Sequence, residues 1–492
     1  MALIPLTIQA GFYRNGTDFE QSNRWRDGNL VRWRNNSLRP VGGWEVRKAA
    51  STTYAPRGLI AWADNSGDSN IAIATYAKLY YMSATGTVTD ITPVGFTSGT
   101  EDAALNNGFG GGNYGQGAYG VETQSSGVFG ECTTWALDTW GEYLVGCSVD
   151  DGKLYEWQLN PAAVAAAITN APTSCLGLVV TQERFIFALG AGGNPRKIAW
   201  CDREDNTTWT AADTNEAGDI ELQTQGAIKC AIRVRGRTLI LTDQDAHLAT
   251  YQGPPYVYGF ERVGTSCGVI SRRSVVAIDE GAFWMGERSF FGFDGSVASE
   301  IKCDVLDYVF GDLNRDQKSK ITATSNSQFG EIWWFYPSAG TLENDRYVTY
   351  NYKDDYWTFG TIERTSAIDR GVFATPIWAD ASGNIYNHEI NFDHDGSSVY
   401  VESGPITLGN GDQVMKVNNL IPDEATQGDV AVTFKTRFYP NDTERSYGPY
   451  AMNNPTSVRF TGRQIRMRIE GTEYTNWRTG VMRIKAIPGG ER

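Results

Sequence analysis

The stretch TTWALDTWGEYLVGCSVDDGKLYEW, Thr133 to Trp157, decides how the chain is read. An apolar alternating run meets a glycine turn, a second strand follows, and an Asp-Asp-Gly turn leads into a strand ending on an aromatic residue. The pattern recurs outward in both directions. It appears before this stretch as GLIAWADNSGDSNIAIATYAKLYYMS, and after it as LGLVVTQERFIFALG with RKIAWCD and as IRVRGRTLILTDQDAHLATY. Further on come SVVAIDEGAFWMGERSFFGFDG, ITATSNSQFGEIWWFYPS with DRYVTYNYKDDYWTFG, and GVFATPIWADASGNIYNHEI. Short strands at quasi-regular spacing, with an acidic-Gly or Gly-Asn turn in each unit, predict an all-β chain. Its middle, residues 57–404, reads as a β-propeller of about seven blades. Trp135, Phe187, Leu239 and Trp333 are predicted core residues.

The two ends read differently. NRWRDGNLVRWRNNSLRPVGGW, Asn23 to Trp44, alternates arginine with apolar residues, and Asp27-Gly28 predicts a hairpin turn. RQIRMRIEG near the other end repeats the alternation, with Ile465, Met467 and Ile469 on one face and Arg466 and Arg468 on the other. Residues 1–56 and 405–492 are therefore predicted to meet in one small β platform domain, into which the propeller is inserted. Charge follows the same division. The first 48 residues carry eight basic and four acidic side chains, and residues 431–492 carry eleven and five. With a net charge of −14, the middle holds −24. Such asymmetry bears on partners and not on fold.

Across 492 residues, 54 glycines and 12% aromatic residues point to turn-rich β structure, and 41% hydrophobic content is ample for a core. No segment approaches the roughly 18 apolar residues of a membrane helix. MALIPLTIQAGF lacks the basic and apolar regions of a signal peptide. Seven scattered cysteines without a CxxC pair read as reduced core thiols from a cytoplasm. NPAAVAAAITN, with Asn160 as cap, and CDVLDYVFGDLNRDQKSK read as short helices. The glycine-rich run from Asn106 to Gly120 reads as an exposed loop.

Chemistry-bearing constellations are sparse. The chain has three histidines. HEINFDHDG groups two of them with Glu389, Asp393 and Asp395, but matches no standard zinc spacing and reads as a polar inter-strand loop. GAGGNPRK lacks the ending of a phosphate loop, and DNTTWT and DDGKLYEW only loosely resemble the structural aspartate boxes of sialidases. No catalytic residue, cofactor-binding residue or metal ligand is assigned, and the expectation is a chain that is not an enzyme. Trp25, Trp33, Arg24, Arg26, Arg32, Arg34, Arg466 and Arg468 stand out instead as candidates for a protein interface.

NGTDFEQSNRWRDGNLVRWR with LRPVGGW, GFGGGNYGQGAYG, TTWALDTWGEYLVGC with GKLYEW, RVRGRTLILTDQDAHLATYQGPPYVYGFERVGTSCGVISRRS and FWMGERSFFGFDG resemble, in this order, a family of bacteriophage virion proteins. These are the tail-hub or tail-nozzle proteins of short-tailed phages, the packaged-DNA stabilisation family, distantly similar to tail tubular protein B. The resemblance runs from about Gly11 to the final RIKA. It implies a propeller on a platform domain, assembled as a homo-oligomeric ring, usually a hexamer, in the virion tail. Portal-adaptor proteins and tail needle or fibre proteins would be its partners, with phage DNA passing through the channel. It implies no active site and no cofactor. The competing reading is a glycan-binding or glycan-cleaving receptor-recognition propeller, which needs a concave pocket of aromatic and carboxylate groups.

Overall fold

In the computed structural model, residues 2–108, 123–408, 413–440, 442–452 and 454–489 are described. Seven four-stranded antiparallel sheets follow one another along the chain. Their inner strands are Pro56–Ala63, Trp135–Trp140, Gly177–Val180, Ile228–Val234, Val275–Ile278, Thr322–Asn326 and Ser366–Ile368. Each inner strand packs against the next, and that of blade seven packs against that of blade one. The result is a closed seven-bladed propeller. All four predicted core residues are buried.

The turns explain why the units fold locally. Trp140 pairs with Tyr143 across a two-residue loop in which Gly141 takes φ 65°, and Val234 pairs with Arg237 across Arg235 and Gly236, both at positive φ. These tight loops match the twist of the strands they join. The blades then pack through aromatic pairs. Tyr81 meets Trp157 at 4.6 Å, Trp200 meets Tyr258 at 5.7 Å, Phe290 meets Trp334 at 4.9 Å, and Trp333 meets Trp378 at 5.2 Å. The indoles also cross between blades. Trp135 Nε1 donates to the Thr75 carbonyl at 2.9 Å and Trp334 Nε1 to the Ser274 carbonyl at 2.9 Å. A buried indole N–H thus finds its partner in the preceding blade.

Blade seven is completed from the other end of the chain. Ser366–Ile368, Ile377–Ala379 and Ile385–His388 supply three strands, and Trp44–Lys48 adds the fourth, antiparallel to Ile385–His388. The sequence boundary at residue 56 leaves this strand in the platform, whereas its hydrogen bonds lie in the propeller. Its exposed Glu45 and Val46 fit an outer strand.

The terminal unit is a two-sheet sandwich. One sheet orders Ala2–Pro5, Arg483–Pro488, Met415–Ile421 and Thr456–Gly462. The other orders Gln9–Phe12, Arg24–Asn29, Tyr400–Ser403, Gln464–Gly471, Val430–Arg437 and Arg445–Ala451, with Ile406–Thr407 also on Gln464–Gly471. The chain ends pair directly, Ala2 opposite Ala486. Phe434 and Phe460 join the sheets at 4.9 Å. Ile465, Met467 and Ile469 face inward as their alternation requires.

Two local expectations change. Asp27-Gly28 is not a turn: both residues lie inside Arg24–Asn29, opposite Glu402 and Val401. Gly28 serves close packing, since a Cβ there would lie 2.5 Å from Phe12 Cζ. The hairpin forms one step later, between Val31–Arg34 and Ser37–Pro40, with Asn35 and Asn36 both at positive φ. The alanine run after Asn160 is not helical. Asn160 Oδ1 accepts from the Ala162 N–H at 3.0 Å, and Ala166–Ala167 then joins blade two as its outer strand. The second segment keeps a short helix, Leu306–Asp312, before a 3-10 turn over Arg315–Lys320. Most of the glycine-rich run lies outside the described residues; its first three residues belong to Leu105–Gly108, which pairs with Thr123–Phe129.

Candidate functional site on the propeller axis

Three of the eight predicted interface residues, Trp25, Arg32 and Trp33, are buried. Trp25 and Trp33 are 6% and 5% exposed, and Trp33 packs on Phe12 and on Tyr356 of blade six, each at 5.6 Å. They are core residues joining the sandwich to the propeller, so neither is free to anchor a neighbour. Arg32, 3% exposed, is also withdrawn from that role. Its guanidinium donates to Glu331 at 2.9 and 2.8 Å and to Glu389 at 2.9 and 2.6 Å, and lies 3.7 Å over the Phe329 ring. Burial works to lower the Arg32 pKa, but the two glutamates raise it, so the guanidinium stays charged. Burial raises the Glu331 carboxyl above its ordinary value, Arg32 opposes this, and Glu389 adds to the rise, because two carboxylates share one cation.

The other arginines find partners in their own chain. Arg24 pairs with Asp304 at 2.8 Å across the sandwich–propeller junction. Arg26, Arg437 and Arg466 converge on Asp18. Burial opposes ionisation of Asp18, yet Arg437, Arg466 and Arg26 hold it below the usual carboxylate range. Arg468 lies 3.6 Å over the Tyr400 ring and 3.2 Å from Glu470. Arg34 alone of the eight candidates is exposed. The arginine faces of these strands pack on other parts of the same chain, an outcome that alternation by itself does not distinguish from a contact between chains.

The histidine-rich loop is likewise structural. His388 stacks on Trp378 at 3.8 Å and accepts from Arg364 Nε at 3.1 Å. His394 Nε2 lies 2.9 Å from the Val41 carbonyl, and Glu389 is committed to Arg32. Burial lowers the pKa of both histidines, that of His388 well below its ordinary value. All seven cysteines are buried and unpaired. Among the described residues, no group of three or more His, Cys, Asp or Glu side chains is placed to hold a metal ion.

Charge gathers instead on the propeller axis. A cavity of about 450 Å³ is lined by the inner strands of all seven blades. Gly58, Ala136, Gly177, Ala231, Ala323 and Ala367 leave it open, because their side chains are too small to fill the axis. Asp138, Lys229, Arg233, Arg272 and Arg273 supply its charge. Asp138 accepts from Arg233 at 2.9 Å and from the Val180 N–H at 2.9 Å; burial raises its pKa against the pull of Arg233. Lys229 and Arg272 share Glu131, with Arg272 at 3.1 Å. Burial works to raise the Glu131 carboxyl, but the two cations hold it below its usual range. Arg273 donates to Ser366 Oγ at 2.7 Å, and burial pulls its pKa down to about 10, with Arg57 adding to the effect. Beside it, Arg57 grips Glu343 at 2.8 and 2.6 Å, and buried Lys320 pairs with Glu343 and Asp102. The sequence signal for this cluster is SRRS, Ser271 to Ser274, at the approach to blade five. Its meaning depends on seven strands converging.

No family model and no curated protein matches the chain. Solved structures similar to it include virginiamycin B lyase from Staphylococcus aureus, at 8% identity and TM-score 0.46, covering 70% of this chain and 98% of that one. A streptogramin B lyase follows at 9% identity and TM-score 0.42, covering 69% and 97%. PorZ, a bacterial surface component of the type-IX secretion system of Porphyromonas gingivalis, aligns at 9% identity and TM-score 0.38, covering 84% and 48%. At these identities the likeness concerns the fold. It corrects one expectation: similar structures include lyases, which are enzymes, so the exclusion of enzymatic activity drawn from the sequence is withdrawn.

Proposed function

We propose that the chain is a structural subunit of a bacteriophage tail hub or nozzle, built as a ring below the portal complex and serving as conduit and closure for packaged DNA. The order of motifs from about Gly11 to the final RIKA supports this reading. The observation that carries it is the charge division laid over the fold. A basic sandwich, built from both chain ends, is fixed by ion pairs to an acidic propeller. The basic unit of one copy complements the acidic propeller of the next, and such a head-to-tail contact closes into a ring. With Trp25 and Trp33 committed to the core, the contact falls to the open edge strand Arg445–Ala451 and to exposed Tyr439 and Tyr474. The propeller axis is too narrow for a duplex, so DNA would pass through the ring and not through a subunit. Native mass spectrometry of the full chain tests the proposal. A ring of about six copies that dissociates at high salt is expected; a monomer at every concentration contradicts it.

A second reading, a glycan-binding propeller, is favoured by a groove of about 490 Å³ beside blade five. Phe283 and Tyr352 stack there at 5.9 Å, with Glu280, Asp294 and Arg235 also lining the groove. Aromatic faces with nearby carboxylates suit a sugar ring. Phe283→Ala should abolish retention on a glycan array under this reading and leave ring assembly unchanged under the first.

A further inference from the structure

We propose that the axial cavity binds a small dianion of the phosphate class, free phosphate or a phosphomonoester, held by Arg273 and Arg272. Charge accounting on the axis leads there. Arg233 is matched by Asp138, and Arg57 and Lys320 are matched by Glu343 and Asp102. Lys229 and Arg272 have one carboxylate between them, Glu131. Arg273 has a hydroxyl partner, Ser366, and among the described residues no carboxylate within ion-pairing distance. Two positive charges are therefore left over on the wall of one cavity.

Arg272 and Arg273 are partly buried, and a cation drawn out of water without a counter-charge is costly, a cost that proteins resolve by pairing it. A guanidinium presents a planar fork of donors that fits a phosphate or carboxylate oxygen pair. Two surplus cations favour a dianion over a monoanion, which selects phosphate over a simple carboxylate. The cavity, about 450 Å³, admits a small molecule and excludes a polymer. Its other lining groups are mostly apolar or very small, so the anion's contacts concentrate on the arginines.

Isothermal titration of the full chain at constant ionic strength tests the site, with inorganic phosphate, glycerol phosphate and acetate as probes. Phosphate should bind at least about tenfold more tightly than acetate, and Arg273→Met should lose about tenfold or more, the loss typical of a charged hydrogen bond. Tighter binding of glycerol phosphate assigns the ester, and equal or weaker binding assigns free phosphate. Ala323→Leu fills the cavity without changing its charge and should also abolish binding; this decides the matter should Arg273→Met fail to fold. Exposed Arg34→Ala should bind as the unaltered chain does. The proposal is overturned if no probe binds at millimolar concentration, if acetate equals phosphate, or if a folded Arg273→Met or Ala323→Leu variant retains full affinity.

Discussion

Neighbouring blades of the propeller pack on one another through aromatic rings, with ion pairs such as Arg233–Asp138 and Arg57–Glu343 gathered near the axis, whereas the sandwich meets the propeller largely through arginine–carboxylate pairs. Phe290 on Trp334 and Trp333 on Trp378 are of the first kind; Arg32 with Glu331 and Glu389, and Arg24 with Asp304, are of the second. Tyr356 and Trp33 add an apolar seam to the junction, but its polar core is charged. Ring packing is indifferent to pH and salt, while a buried ion pair depends on both partners being present and ionised. The ring contacts between neighbouring blades are therefore independent of charge, while the sandwich–propeller junction, like the ion pairs at the axis, responds to it.

The largest effect should come from deleting residues 1–48. This removes the outer strand of blade seven and three strands of the sandwich core and edges, so calorimetry should find no cooperative native transition. A propeller that still melts as before would break the view that one segment closes both units. Trp334→Ala should cost about 4 kcal/mol of unfolding free energy, in the range of buried Trp-to-Ala changes. Arg32→Met should cost about 3 kcal/mol at neutral pH, because it leaves two buried carboxylates without their cation. That loss, measured against the parent chain by denaturant titration, should shrink on acidification as Glu331, whose carboxyl is held above its ordinary value, takes up a proton. A Trp334→Ala loss with the same pH dependence would blur the contrast between the two interfaces.

Acid should act more gently on the parent chain through His388 and His394. Burial lowers both pKa values in the folded state. Their contribution is complete above the ordinary histidine value of 6.5 and is lost as pH falls below it. The slope is at most about 1.4 kcal/mol per histidine for each pH unit. Constant stability between pH 7 and pH 5 would contradict neutral burial of this pair.

The propeller was legible because each blade is a local object. Alternating strands, Gly141 and the Arg235-Gly236 turn are contiguous in sequence, and the repeat supplies the count. The meeting of the chain ends was legible from the alternation around Arg466 and Arg468. What escaped was non-local. Trp44–Lys48 finds its partner strand some 340 residues away, a register no local pattern encodes. Asp27-Gly28 has turn chemistry, but Phe12 packing over Gly28 overrides it. The alanine run has helical propensity, but pairing with Leu154–Trp157 takes its end into a sheet. Trp25 and Trp33 were visible as anchors, though not the fact that they anchor the chain to itself. The axial arginines look ordinary in sequence because their shared cavity exists only once seven strands converge.

Closure of blade seven by the N-terminal strand is most directly tested by hydrogen exchange on the intact chain. Peptides covering Trp44–Lys48 should show slow exchange of the amides paired with Ile385–His388, and should lose that protection together with those residues as denaturant is raised. Rapid exchange across Trp44–Lys48 while Ile385–His388 stays protected would contradict the closure.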